Sequence, residues 1–270
     1  MNIVLLDIDG TIYDNKYRTN SDKLPSLIEK TSNENIYVLN SNRSLYDLFP
    51  IWNEFNLNGP IIVENGSFIY FPQKNKKIIL TKIEENSLVK NIIFRLIKDN
   101  FVNSITLDID TVDFLKKNNY EKMKNFDIIL LSNKFRKFTL SLHLKINNEG
   151  TFVKDNALGS KIVEMIKGIK AITTRYNVVY SKAFGNILVT PKDCDKSTAF
   201  IQLKKKIMPN FQAIMIGDDR FDLPLIESCN YFFCVANADN IIKNQCNYVS
   251  KYPFTKGVVE IIENMQKLMK

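Results

Sequence analysis

The sequence has a single histidine, His143, among 270 residues. A histidine pair, a Ser–His nucleophile and a zinc site built on imidazoles therefore lack parts. His143 lies in the alternating run Thr139–Ile146, where a structural place in a strand is expected. Cysteine is scarce too: Cys194, Cys229, Cys234 and Cys246 show no C-x-x-C spacing, and none has an arginine six positions on. That excludes a thioredoxin-like motif and a cysteine-nucleophile phosphate loop, and the four read as reduced core or loop thiols. No apolar run approaches the ~20 residues of a membrane span, and the N-terminus has neither a charged leader nor a cleavage site. A cytoplasmic protein without membrane attachment is expected. Zinc-ligand spacing and long basic helices are missing, which argues against nucleic acid as a partner. There is no internal repeat and no low-complexity tract.

What is present is a hydrophobic share of 45%, a charged share of 24% and a net charge of +8. These are the proportions of a globular protein with a large core. The lysine patches, 74–77 and 204–206, are short. They suit a solvated face or attraction of anionic substrates such as phosphates.

The chain opens on an apolar strand, Met1–Leu6, that runs directly into Asp7-Ile-Asp9-Gly-Thr11. Pleating sends Asp7 and Asp9 roughly the same way from the strand end. Two carboxylates about 4 Å apart repel by roughly 4 kcal/mol at an effective dielectric of about 20. A hard cation with oxygen ligands, such as Mg²⁺, removes that cost. A helix near Leu24–Ile28 and a second strand, Ile36–Leu39, follow, with the strand closing on Asn40-Ser41-Asn42-Arg43. Helical spacing returns over Leu45–Phe55, and a third strand, Ile61–Val63, ends at Glu64-Asn65-Gly66, a hairpin signal before Phe68–Phe71. This β-α-β-α-β order implies a parallel sheet.

After the charged joint Lys74–Lys77, residues 78–186 mix amphipathic helices with alternating strands, the pattern of an α+β insert. Asp108-Ile-Asp110 copies the opening acidic pair without its glycine and reads as a solvated strand end. Doubly wound order is expected to resume near Ile187–Val189. Asp195 is placed as the cap of a helix carrying Lys196 and an apolar face of Ala199, Phe200 and Leu203. Ala213–Ile216 is a further buried strand, ending at Gly217-Asp218-Asp219-Arg220-Phe221-Asp222. Tyr231–Val235 is another strand, and Gly257–Leu268 an amphipathic helix. Expected domains are thus a core of 1–77 and 187–270 and an inserted unit of 78–186. In an open α/β sheet, ligands bind beyond the carboxyl ends of the strands. Asp7, Asp9, Ser41, Lys196, Asp218 and Asp222 should all meet there.

In that order these residues resemble the four motifs of the haloacid dehalogenase superfamily of phosphohydrolases. Glu64-Asn65-Gly66, the stretch Thr190–Lys196, and Val235-Ala-Asn-Ala238 look like its Cof-type branch, sugar-phosphate phosphatases with a large α/β cap inserted after the third strand. The resemblance covers the core; the insert matches in position and length only. It implies a Rossmann-like parallel sheet with an α+β cap domain that closes over the leaving group and sets specificity. It also implies an aspartyl-phosphate on Asp7, with Asp9 as acid and base. Mg²⁺ would be held by Asp7, the Asp9 backbone carbonyl and Asp218, with Asp222 orienting the metal shell directly or through water. Ser41 and Lys196 would bind the phosphoryl group, with Asn42 and Arg43 beside it. The expected partner is a small phosphorylated sugar or related metabolite. Lys182, Arg175 and Asn186 are unranked cap candidates. Departures from the family pattern are Asp219 and Phe221, which alter the surroundings of the metal, and Asn42 in place of a glycine. Two other readings stand beside this one: a phosphomannomutase-like phosphotransferase and a catalytically silent sugar-phosphate binder.

Overall fold

The computed structural model describes residues 1–118, 120–207 and 210–270. Its strands, in chain order, are β1 (Asn2–Leu6), β2 (Asn35–Asn40), β3 (Ile61–Val63), β4 (Phe68–Phe71), β5 (Lys76–Ile79), β6 (Ser104–Ile109) and β7 (Ile128–Asn133). They continue with β8 (Leu140–Asn148), β9 (Thr151–Val153), β10 (Tyr176–Ser181), β11 (Asn186–Pro191), β12 (Gln212–Gly217), β13 (Tyr231–Cys234) and β14 (Tyr248–Val249). Two compact units result: Met1–Leu80 with Cys194–Lys270, and Thr81–Asp193. The expected α/β parallel core with an α+β insertion is what the chain forms.

The first unit holds an eight-stranded sheet in the order β14-β13-β12-β1-β2-β3-β4-β5. From β14 to β3 every pairing is parallel. Crossover helices cover such a sheet on both sides, so its central strands read as continuous apolar runs rather than alternating ones. In β1, Ile3 to Leu6 are all fully buried. One face packs Ile3, Leu5, Val38, Ile62, Ala213 and Met215 against Ala199, Phe200 and Leu203 of the helix Lys196–Ile207. That packing brings the start of this helix to the carboxyl end of β1. Its first turn is capped by Asp195, whose carboxylate accepts from the Thr198 N–H at 2.7 Å.

The second unit holds the sheet β10-β11-β8-β7-β6, with β9 on β8. Only β6 and β7 run parallel; the other pairs are antiparallel. Its core joins Leu140, Leu142, Leu144, Ile187 and Val189 to Ile162, Val163 and Ile166 of the helix Asn156–Lys167.

Two expectations need correction. Ile187–Val189 does not reopen the parallel core: β11 pairs antiparallel with β8 and β10. An apolar run does not declare its partners, and the nearest strand in sequence, β10, captures it. Nor is Lys74–Lys77 only a joint, since Lys76 and Lys77 begin β5, which extends the first sheet antiparallel to β4. Exposed lysines suit such an edge, where they block pairing with another chain. The divisions accordingly fall at Leu80/Thr81 and Asp193/Cys194, later than 77/78 and 186/187.

Candidate active site

Asp7 leaves β1 with its N–H still bonded to the Ile216 carbonyl of β12 at 3.1 Å. The sheet ladder therefore fixes where its carboxylate starts. Lys196, only 4% exposed, donates to Asp7 Oδ1 at 2.6 Å and to Asp222 Oδ1 at 2.8 Å. Ligand oxygens of Asp7, Asp218 and Asp222 lie within 4.8 Å of one another. The start of the chain thus meets two segments of its last third in the first unit, Asp7 lying 189 positions from Lys196 and Lys196 26 from Asp222.

The turns that carry these groups leave no spare room. Gly10 has φ +92°, and a Cβ on it would sit 2.0 Å from Asp218 Oδ2. Its carbonyl accepts from Asn237 Nδ2 at 2.7 Å. Thr11 Oγ1 donates to Asp218 Oδ1 at 2.9 Å. Asp219 caps the short 3-10 helix Arg220–Leu225 by accepting from the Phe221 N–H. That turn carries Asp222 inward, where Oδ2 accepts from the Asp218 N–H at 3.3 Å. At Glu64-Asn65-Gly66 all three residues have positive φ. The turn returns the chain so that the Asn65 and Glu64 N–H groups bond the Ser41 and Arg43 carbonyls, both at 3.1 Å. Gly66 packs so closely that an added Cβ would meet the Asp195 carbonyl at 2.0 Å.

Ser41 is buried at the end of β2, and its Oγ accepts from the Arg43 N–H at 3.2 Å. Asn42 between them is half-buried. The Arg43 guanidinium grips Asp9: Nε donates to Oδ2 at 2.9 Å and a terminal nitrogen to Oδ1 at 2.5 Å. Tyr13 and Tyr17 stand 5.4 and 5.1 Å from the guanidinium carbon, stacking distances that favour a planar cation. Sequence spacing joins Asp9 to Asp7, whereas the structure draws the Asp9 carboxylate to Arg43. Arg175, Lys182 and Asn186 lie in the second unit. Asn186 is buried there, donating to Ser141 Oγ at 2.8 Å.

One buried ammonium pairs with two of the four clustered carboxylates, and the proton affinities register the imbalance. Burial, with the Asp222 charge, pushes Asp7 up to about 7 despite Lys196. Asp218 is raised well above the usual carboxylate range by burial and then by Asp7. Burial lifts Asp219 to about 6 and also raises Asp222. Burial alone would lower Lys196, but the Asp222 and Asp7 charges reverse that and hold it well above its ordinary value. Excess negative charge on hard oxygen donors, with no thiol or imidazole among them, fits a small divalent cation of the Mg²⁺ type.

Thr11, Asn237 and the Arg43–Asp9 pairing escape sequence reasoning. Thr11 and Asn237 stand inside motifs that drew notice for other residues, and no local signal links them to Asp218 or Gly10. The repeat of the acidic pair at Asp108 and Asp110 has ordinary uses: Asp108 pairs with Lys90, and Asp110 caps the helix Thr111–Lys117.

Fold and site together define an α/β protein with a lysine-anchored acidic crevice at the carboxyl edge of a parallel sheet. The chain belongs to the haloacid dehalogenase-like hydrolases, whose family model matches residues 4–262, and it is an enzyme of that class. A phosphoglycolate phosphatase of Staphylothermus marinus is 24% identical over 97% of each chain. A haloacid dehalogenase-like hydrolase from Bacteroides thetaiotaomicron has the same fold, with TM-score 0.71 and 20% identity over 98% of this chain and 99% of that one. A HAD/COF-like hydrolase from Plasmodium vivax superposes with TM-score 0.70 at 21% identity, covering 99% and 96%. Among the described residues no helix is long and apolar enough to cross a membrane.

Proposed function

We propose that this enzyme is a Mg²⁺-dependent phosphatase of small phosphorylated metabolites that works through a phospho-aspartate on Asp7. The observation that carries the reading is the shared hold of Lys196 on Asp7 and Asp222, with Asp218 in reach and Asp9 kept apart by Arg43. Asp7 is braced through one oxygen by Lys196, which orients it and screens its approach to an anionic ester. A carboxylate oxygen of Asp7 attacks phosphorus, and the ester oxygen leaves with a proton from Asp9. Asp9, again a carboxylate, then takes a proton from the water that attacks the phospho-aspartate, freeing phosphate and restoring Asp7. Ser41 at the end of β2 offers its hydroxyl to a phosphoryl oxygen, and Asn42 and Arg43 flank it. Asp7, Asp218 and Asp222 would hold Mg²⁺, with the backbone carbonyl of Asp9. When bound, the ion supplies neutralisation of phosphoryl charge.

Sugar phosphates follow from the Cof-type resemblance. Relatives named phosphoglycolate phosphatase add a compact carboxylated phosphate ester. A panel holding both classes, run with and without Mg²⁺, identifies the substrate. The test of mechanism is phosphate release from a generic ester. Asp7→Asn and Asp9→Asn should each lower it by on the order of 10³-fold, and full activity in either variant removes the mechanism.

A further inference from the structure

Beside the acidic cluster, two thiols face each other at the carboxyl end of β13, where Cys234 pairs with Gly217 of β12. Cys234 ends β13 and is buried, whereas Cys246, just before β14, is half-buried. Their sulfurs lie 2.8 Å apart. The backbone on either side holds them there. The Asn247 N–H donates to the Phe232 carbonyl at 2.7 Å, and the Ser250 N–H to the Cys234 carbonyl at 2.8 Å. The Asn247 side chain accepts from the Phe232 N–H at 2.8 Å, and β13 pairs in parallel with β14. A disulfide bond is about 2.05 Å long, so the sulfurs need close by only about 0.8 Å, with no change of strand register.

We propose that Cys234 and Cys246 form a reversible dithiol–disulfide site, oxidised by exchange with a low-molecular-weight disulfide such as oxidised glutathione. The roles of the two thiols differ. The contact between the two sulfurs holds the Cys246 thiol down at about 7, and the same contact, then burial, pushes Cys234 far up. Cys246, the partly exposed one, is the attacking thiolate. It attacks one sulfur of the reagent, breaking that S–S bond. The released thiolate takes the proton lost by Cys246. Cys234 then attacks the Cys246 sulfur of the mixed disulfide, the second small thiolate leaves, and it takes the proton of Cys234. One protein disulfide forms, and one reagent disulfide becomes two thiols. The other two cysteines do not share this setting: Cys194 is buried 3.8 Å from Ser67 Oγ, and burial pushes Cys229 up to about 12. The bridge would close the segment that carries Asn237, bonded to the Gly10 carbonyl, and Asp239, whose N–H bonds the Asp218 carbonyl at 2.9 Å. The site thus anchors the loop that touches both acidic turns.

The test treats the folded, full-length protein with oxidised glutathione and follows its intact mass. Loss of two hydrogens is expected, and dithiothreitol should restore them. Trypsin digestion should then yield Phe221–Lys243 joined to Asn244–Lys251, with fragmentation placing the bond on Cys234. Cys246→Ser should abolish the bridge, and Cys229→Ser should leave it intact. A lasting glutathione adduct on Cys246 overturns the proposal, as does a bridge through Cys229. So does oxidation seen only in urea-unfolded protein.

Discussion

The crowding of acids around Lys196 predicts an unusual response to pH in cation-free protein. Asp7 is raised from 3.8 to about 7 in the folded state. An acid with a raised folded pKa binds its proton more tightly in the native protein. Its stabilising contribution is therefore complete below about 3.8 and is lost as pH rises towards 7. At about 1.4 kcal/mol per unit, this single group accounts for up to about 4 kcal/mol between those limits. Chelated protein should thus grow more stable as pH falls from about 7.5 to 5, where an ordinary carboxylate leaves stability flat or lowers it. Asp7→Asn removes the charge but retains an oxygen for Lys196. It should stabilise chelated protein near pH 8 by a few kcal/mol and be nearly neutral near pH 4. Millimolar Mg²⁺ should raise the stability of the parent and scarcely affect the variant, since ligand binding to the native state shifts unfolding by mass action. The assay is urea unfolding followed by tryptophan fluorescence. Trp52 is the chain's one tryptophan, and it lies in the first unit with its indole N–H on the Gly59 carbonyl at 2.8 Å. The signal therefore reports the unit that holds the site. If chelated parent protein weakens steadily from pH 7.5 to 5, or Asp7→Asn destabilises it at pH 8, the carboxylates are not competing for one cation and the reasoning fails.

Further outcomes follow from individual contacts. Gly10→Ala should abolish turnover and Mg²⁺-dependent stabilisation together, because its Cβ would overlap Asp218 Oδ2 and its φ of +92° disfavours any side chain; steady-state rates and Mg²⁺ titration of unfolding check both. Arg43→Lys exchanges a two-point grip on Asp9 for a single ammonium, so kcat should fall about 10-fold or more, and a parent-like kcat would show that the grip is incidental. Lys196→Met should cost about 3–5 kcal/mol at neutral pH by stranding Asp7 and Asp222, with part of the loss regained on acidification, measured by the same urea unfolding.

Much of this arrangement is legible in the residues themselves. An unbroken apolar run such as Ile3–Leu6 belongs to a strand buried on both faces, and carboxylates directly after it must stand at the strand's end. The same logic places Asp218 after Ala213–Ile216 and Lys196 at a capped helix start. Parallel topology then brings those ends to one edge, so the juxtaposition of Asp7, Lys196, Asp218 and Asp222 follows from local pattern and a general rule of open sheets. Local pattern does not reach the choice of partner. β11 is as apolar as a core strand, yet its hydrogen bonds go to β8 and β10, and only the folded neighbours decide that. Arg43 lies 34 positions from Asp9 and Asn237 lies 227 from Gly10. Cys246 meets Cys234 only because β14 docks in parallel beside β13. Hydrophobic pattern and chain chirality, both written residue by residue, determined which elements form and which edge carries the acids. Side-chain pairing depends on distances across the sheet that no spacing encodes, so the tertiary structure alone decided which groups hold the acids in place.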